Sequence, residues 1–195
     1  MGRSATVSRR TGETDIEVAL DLDGTGACDV QTGVGFFDHM LNALGRHSLM
    51  DLSVHAKGDT WVDDHHTVED TGIVLGQAVA EALGDRSGIR RFGDVAVPLD
   101  EALVLAAVDV SGRGELFWDV EIGPDKVGTF DCELAQEFFV GFARQAGLTL
   151  HLRKLAGTNA HHIIEATFKS CARALRVAVE RDPRVVGVPS TKGVL

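Results

Sequence analysis

The sequence predicts an α+β protein made of two related halves, and three observations predict it. Apolar residues alternate with polar ones around residues 16–22 and 116–122, the period of half-buried strands. Other stretches carry apolar residues at helical spacing. Finally, His65-His66-Thr67-Val68-Glu69 returns 96 residues later as His161-His162-Ile163-Ile164-Glu165. Under that shift the apolar stripes coincide, with Val68 on Ile164, Leu75 on Cys171, Val79 on Leu175 and Leu83 on Val179.

Taken in order, Ile16, Val18, Leu20 and Leu22 form the first strand, after a polar approach holding Arg9, Arg10, Glu13 and Asp15. Asp23-Gly24-Thr25-Gly26 ends it as a turn. The next segment, Gly33-Val34-Gly35-Phe36-Phe37-Asp38-His39, opens a helix with Asp38 able to accept hydrogen bonds at its start. Phe37, Met40, Leu41 and Leu44 are its inner stripe, and His39 and His47 lie on it or at its end. A strand follows at residues 52–54, then a polar loop at 59–64 containing Trp61. Asp63 or Asp64 can cap the helix of residues 65–83, which Gly84-Asp85 stops.

Residues 87–93 form a middle segment beside Arg86, with Arg90 and Arg91 in it. The unbroken apolar run at 102–110 reads as a strand buried on both faces. After a turn at Ser111-Gly112-Arg113-Gly114, residues 116–122 alternate again. From Phe130 the first half replays: a helix at 134–147, a strand at 148–152, and a second histidine-headed helix at 161–179 that Asp182-Pro183 ends. The halves divide at residues 1–92 and 93–195, as one duplicated globular unit. Such repeats are too long and too few for a solenoid.

Composition narrows the function. The chain of 195 residues can bury a full core, and 44% apolar content suits a globular protein. A net charge of −10 argues against nucleic acid and leaves room for a small anion where cations cluster. No apolar run approaches membrane-spanning length, and no hydrophobic signal region follows the start. Cys28, Cys132 and Cys171 lack metal-type spacing and read as reduced thiols of a cytoplasmic protein.

The repeated histidines carry chemistry. On a helix, residues i and i+4 share a face, so His65 with Glu69, and His161 with Glu165, can each grip one cation. His66 and His162 lie about 100° further round and point at a second ion. The repeat, with two residues removed, sets His39 against Glu137 on the preceding helices and nominates both as further ligands. Imidazole and carboxylate without thiolate suit Mn²⁺, Fe²⁺ or Zn²⁺, and a six-coordinate carboxylate-containing site favours Mn²⁺. Lys169 continues the His161–Glu165 stripe and can hold an anion near the metal. Arg91, Arg113 and Lys192 sit in glycine- or serine-bearing turns suited to phosphate.

Several stretches resemble the imidazoleglycerol-phosphate dehydratase family in the family's order. They include Phe37-Asp38-His39-Met40-Leu41, Asp63-Asp64-His65-His66-Thr67-Val68-Glu69-Asp70 and Arg91-Phe92-Gly93-Asp94. Further along come Pro98-Leu99-Asp100-Glu101-Ala102, Ser111-Gly112-Arg113, the second histidine signature through Lys169, and Pro189-Ser190-Thr191-Lys192. The resemblance implies two α+β halves, each an antiparallel sheet with helices on one face. It implies a cytoplasmic enzyme of histidine biosynthesis in a cage of 24 subunits that assembles with Mn²⁺, two ions per active site, at subunit contacts.

By resemblance the metal ligands are His39, His65, His66, Glu69, His161, His162 and Glu165, with Glu137 standing where the family usually has a histidine. Ala43 stands where the family commonly has glutamine. Glu13, Arg91, Arg113, Lys169, Ser190 and Lys192 match substrate contacts, and His47 is counted with them. Glu13, His65, Glu69, His161 and Glu165 form the catalytic group. The implied reaction dehydrates D-erythro-imidazole-glycerol phosphate to imidazole-acetol phosphate. A dinuclear Mn²⁺ site would hold the substrate ring as imidazolate, and Glu13 would take a carbon-bound proton. Two rivals are a dinuclear metallohydrolase and a metal-assembled shell without turnover.

Overall fold

The structure, a computed structural model, describes residues 2–195. Two four-stranded sheets and four helices form it, and the halves have the same plan. The first half runs β1 (Ser4–Arg10), β2 (Thr14–Asp21), β3 (Cys28–Gln31), α1 (Gly35–Ser48), β4 (Asp51–Gly58) and α2 (His65–Leu83). The second runs β5 (Phe92–Leu99), β6 (Ala102–Asp109), β7 (Glu115–Asp119), α3 (Leu134–Ala146), β10 (Thr149–Ala156) and α4 (Ala160–Val179). Between β7 and α3 lies a small hairpin, β8 (Lys126–Val127) and β9 (Phe130–Asp131), with no counterpart in the first half.

Strand order is β1-β2-β4-β3 in one sheet and β5-β6-β10-β7 in the other, so the duplication holds strand for strand. Three strands of each sheet pair antiparallel, while β3 pairs parallel to β4 and β7 parallel to β10. The expectation of wholly antiparallel sheets is corrected at these edges. Parallel neighbours need a crossover, and α1 and α3 supply it.

Other sequence expectations shift in detail. The polar approach before Ile16 contains an edge strand, β1, whose Ala5, Val7 and Arg9 are only half-buried. The middle segment leads into β5, which accepts Pro98 because it too lies at a sheet edge. The run at 102–110 is buried on one face only: Ala102, Val104, Ala106 and Val108 point inward, and Leu103, Leu105 and Ala107 lie half-exposed. Asp38 does not cap α1. Its carboxylate accepts from the Thr32 amide (2.8 Å) and hydroxyl (2.5 Å) and ties the incoming chain to the first turn. At α2, Asp63 accepts from the His65 amide at 2.8 Å.

The helices meet across the halves. α1 packs on α4 and α2 on α3, while α2 covers β1 and β2 and α4 covers β5 and β6. One continuous apolar core results, centred on Phe37, Phe138, Phe139, Phe142 and Phe168. Glycine permits the close α2–α3 crossing: a Cβ on Gly76 would sit 2.6 Å from the Phe142 carbonyl oxygen, and one on Gly141 3.0 Å from that of Glu69. The three cysteines are free thiols, and full burial pushes Cys171 up to about 12. No helix among the described residues is long and apolar enough to cross a membrane.

Candidate metal centre

The α1–α4 contact brings ligands from both halves together. His39 comes from α1, and His161 and Glu165 come from the first turns of α4. One ligand atom from each lies within 4.8 Å of the others. His161 Nε2 is 3.1 Å and His39 Nε2 3.4 Å from the same oxygen, Glu165 Oε2. The other oxygen, Oε1, takes the Lys169 ammonium at 2.6 Å. Burial alone would raise the Glu165 pKa, but Lys169 and then His39 hold it below the ordinary value, so it stays ionised. Phe36 packs edge-on to the His161 ring, with centroids 5.1 Å apart.

This donor set suits a divalent ion. Two imidazoles and one carboxylate converge with no thiolate among them, and ligand atoms about 3–4 Å apart can share an ion at bond lengths near 2 Å. Beside them opens a cleft of about 420 Å³ lined by His39, Ala43, Arg46, His47, Glu165 and Lys169. His47 therefore faces the cluster. Burial first, then the charges of Lys169 and Arg173, lower its pKa and favour the neutral ring.

The matching half-site on α2 is more open. His65 Nε2 lies 3.8 Å from Glu69 Oε2. Glu137 is half-buried in the first turn of α3 but does not join His65 and Glu69 in a comparably tight group among the described residues.

His66 and His162 turn away to carboxylates that sequence spacing did not single out. His66 Nδ1 is 3.1 Å from both oxygens of Asp59, a buried residue at the end of the β4 connection. His162 Nδ1 is 2.7 Å from Glu101 Oε2. Glu101 Oε1 also accepts the Asn159 and Thr158 amides at 2.8 and 3.2 Å. His162 and these amides lower the Glu101 pKa to about 2. Each carboxylate faces Nδ1 of its imidazole, orients the ring through that nitrogen and raises its pKa.

Glu13 approaches His66 Nε2, with its Oε1 at 3.8 Å. The register of the two sheets makes Glu13 and Glu101 counterparts, each immediately before β2 or β6. The two differ in use: Glu101 is tied down by a ring and two amides, whereas Glu13 is largely exposed at the hairpin tip.

The phosphate candidates form a separate group at the end of the second sheet. Arg91 makes a forked contact with Asp109, Nε to Oδ1 at 2.7 Å and Nη2 to Oδ2 at 3.3 Å, and donates from Nη1 to the Pro189 carbonyl at 3.0 Å. Arg113 Nη2 reaches the same Asp109 at 3.4 Å. Through Pro189, Arg91 holds the tail that carries Ser190 and Lys192, and Ser190 Oγ accepts the Lys192 amide at 3.2 Å. Lys169 is not part of this group; it stays with Glu165.

The family model described as "Imidazoleglycerol-phosphate dehydratase" matches residues 32–175. A relative of that name from Roseobacter denitrificans is 62% identical over 194 residues, covering 99% of this chain and all of its own. One from Acidiphilium cryptum is 60% identical over 196 residues, covering 100% of both chains. The crystal structure of the Pyrococcus furiosus protein, in complex with (S)-C348, superposes with a TM-score of 0.84 at 40% identity, over 97% of this chain and 100% of that one. The Staphylococcus aureus structure gives a TM-score of 0.84 at 38% identity, over 92% and 99%. The chain belongs to the imidazoleglycerol-phosphate dehydratase family.

Proposed function

We propose that this protein dehydrates D-erythro-imidazole-glycerol phosphate to imidazole-acetol phosphate, a step of histidine biosynthesis, at a dinuclear Mn²⁺ site. The enzyme class, a hydro-lyase, follows from family membership. The observation that carries the metal reading is the convergence of His39, His161 and Glu165 from opposite halves of the chain, with Lys169 neutralising the unused carboxylate oxygen. His65, Glu69, His66 and His162, with Glu137, would complete the ligand set. Among the described residues one tight cluster gathers His39, His161 and Glu165, while His65, Glu69 and Glu137 stay apart from it, which supports sites completed between subunits of a homo-oligomer.

Bound there, Mn²⁺ would lower the pKa of an imidazole nitrogen that it holds. The protein's own groups do the rest. Net dehydration breaks one C–O bond, releases one carbon-bound proton and leaves an enol that becomes the ketone. Glu13 is the base we assign to that proton, because it is an exposed carboxylate held beside His66 and is not committed to backbone amides as its counterpart Glu101 is. Arg91, Arg113, Ser190 and Lys192 supply donors for the phosphate, and Lys169 and His47 line the cleft beside the ring site.

Ultraviolet detection of the keto product from imidazole-glycerol phosphate, with Mn²⁺ and after chelation, tests the proposal. Product formed only with the metal supports it. Phosphate release without dehydration would mark a metallohydrolase, and Mn²⁺-dependent assembly without turnover would mark a metal-built shell.

A further inference from the structure

The repeat breaks at one buried pair. Asp70 follows Glu69 on α2 and is 7% exposed, and Thr14 at the start of β2 is 3% exposed. The Thr14 hydroxyl donates to Asp70 Oδ2 at 2.5 Å, and Arg9 Nη1 lies 2.6 Å from the same oxygen. With its proton committed to the carboxylate, Thr14 Oγ1 accepts from the Thr11 hydroxyl at 3.2 Å. Thr11 Oγ1 in turn accepts the amides of Glu13 (3.1 Å) and Thr14 (3.0 Å). A chain of hydrogen bonds thus runs from the interior of α2 to the backbone of Glu13.

In the second half the same places hold Ala102 and Ala166, both buried. That half folds with the same strand order and the same helix on its sheet. Fastening this helix to this sheet therefore does not require a carboxylate. The half that keeps the pair is the one whose hairpin tip presents an unanchored glutamate to a histidine.

We propose that Asp70, acting through Thr14 and Thr11, is a positioning residue that sets the Glu13 hairpin tip for proton transfer. The inference rests on the reading of Glu13 as the base. A tip free to drift by about 1 Å loses alignment with the substrate and slows the reaction without weakening its binding equally. Arg9 offsets the charge that Asp70 brings into the interior.

The test uses the Mn²⁺-loaded protein with Asp70→Ala, which copies the second half, Thr14→Val, Thr14→Ser, Glu13→Gln and the Glu13→Gln/Asp70→Ala double variant. Asp70→Ala should lower kcat about 10–100-fold and change KM less than about 3-fold. Thr14→Val should reproduce that loss, and Thr14→Ser should recover most of it. In the Glu13→Gln background Asp70→Ala should cost little more, because both act on one step. Equal losses from Thr14→Ser and Thr14→Val, or an Asp70→Ala loss that appears in KM alone, would overturn the positioning role. So would the same fold-loss in both Glu13 backgrounds. Near-normal turnover by Glu13→Gln would instead refute the base assignment. If Asp70→Ala does not fold, the Thr14 pair decides.

Discussion

Glu101 holds His162 by its Nδ1 at 2.7 Å, and in the other half Asp59 holds His66 by its Nδ1 at 3.1 Å. The two histidines are related by the repeat, but their orienting carboxylates come from different places: Glu101 from the β5–β6 turn and Asp59 from the loop after β4. Each ring's Nε2 has a second, looser carboxylate neighbour, Glu13 at 3.8 Å for His66 and Asp100 at 3.7 Å for His162. Outer partners of this kind commonly contribute 10–100-fold to metal affinity. Glu101→Gln and Asp59→Asn should each weaken Mn²⁺ binding by about that factor, read by titration calorimetry on metal-free protein. Unchanged affinity in both would show that these carboxylates do not orient ligands.

Replacement of His66 or His162 by alanine should abolish turnover and weaken Mn²⁺ binding together. Near-normal turnover in both variants would refute the two-metal scheme.

Close approach of α2 and α3 makes Gly76 intolerant of a side chain. Gly76→Ala puts a methyl 2.6 Å from the Phe142 carbonyl oxygen, so the helices must separate. Overpacking of this kind costs about 1–3 kcal/mol. At about 2–4 °C per kcal/mol for a chain of this size, the melting temperature of metal-free protein should fall by roughly 2–12 °C. Gly123→Ala is the control, since nothing lies within 4 Å of a Cβ there.

Acid stability should depend on Asp23. Its hydrogen bond to the Arg3 guanidinium lowers its pKa below 3.8, while Arg3 itself is 8% exposed and also donates to the Val179 carbonyl. A carboxylate depressed in the folded state stabilises above its unfolded pKa and loses that contribution as pH falls through the folded one. Asp23→Asn should therefore be destabilised near neutrality and converge on the parent as pH falls below 3.8 and through the depressed folded-state pKa. The difference should stay under about 1 kcal/mol because the Asp23 side chain is half-exposed. Denaturant midpoints across pH 2.5–7 measure it; parallel curves would remove Arg3 from the account.

Local signals made much of this molecule legible. The two histidine-headed helices were readable because ligands at i and i+4 and an apolar stripe share one period. The repeat also placed His39 on a helix preceding these, and the structure seats it against His161 and Glu165. What escaped was non-local. Asp59, Glu101 and Asp70 acquire their partners only when loops and hairpins fold against helices, and no spacing rule joins Asp70 to Thr14 across 56 residues. The strands β1, β3 and β5 were missed because edge strands are short or half-buried, so their apolar alternation is faint. Missing β3 also concealed the parallel edge that α1 creates.

The interlocked helices also bear on how the two halves depend on each other. With α1 against α4 and α2 against α3, each half hides a large part of its greasy surface under the other. Cut in the stretch between Leu83 and Phe92, the chain would yield two pieces that each need their sibling to fold. The seat for the ion, borrowing His39 from one piece and His161 and Glu165 from the other, would come into being only on their reunion.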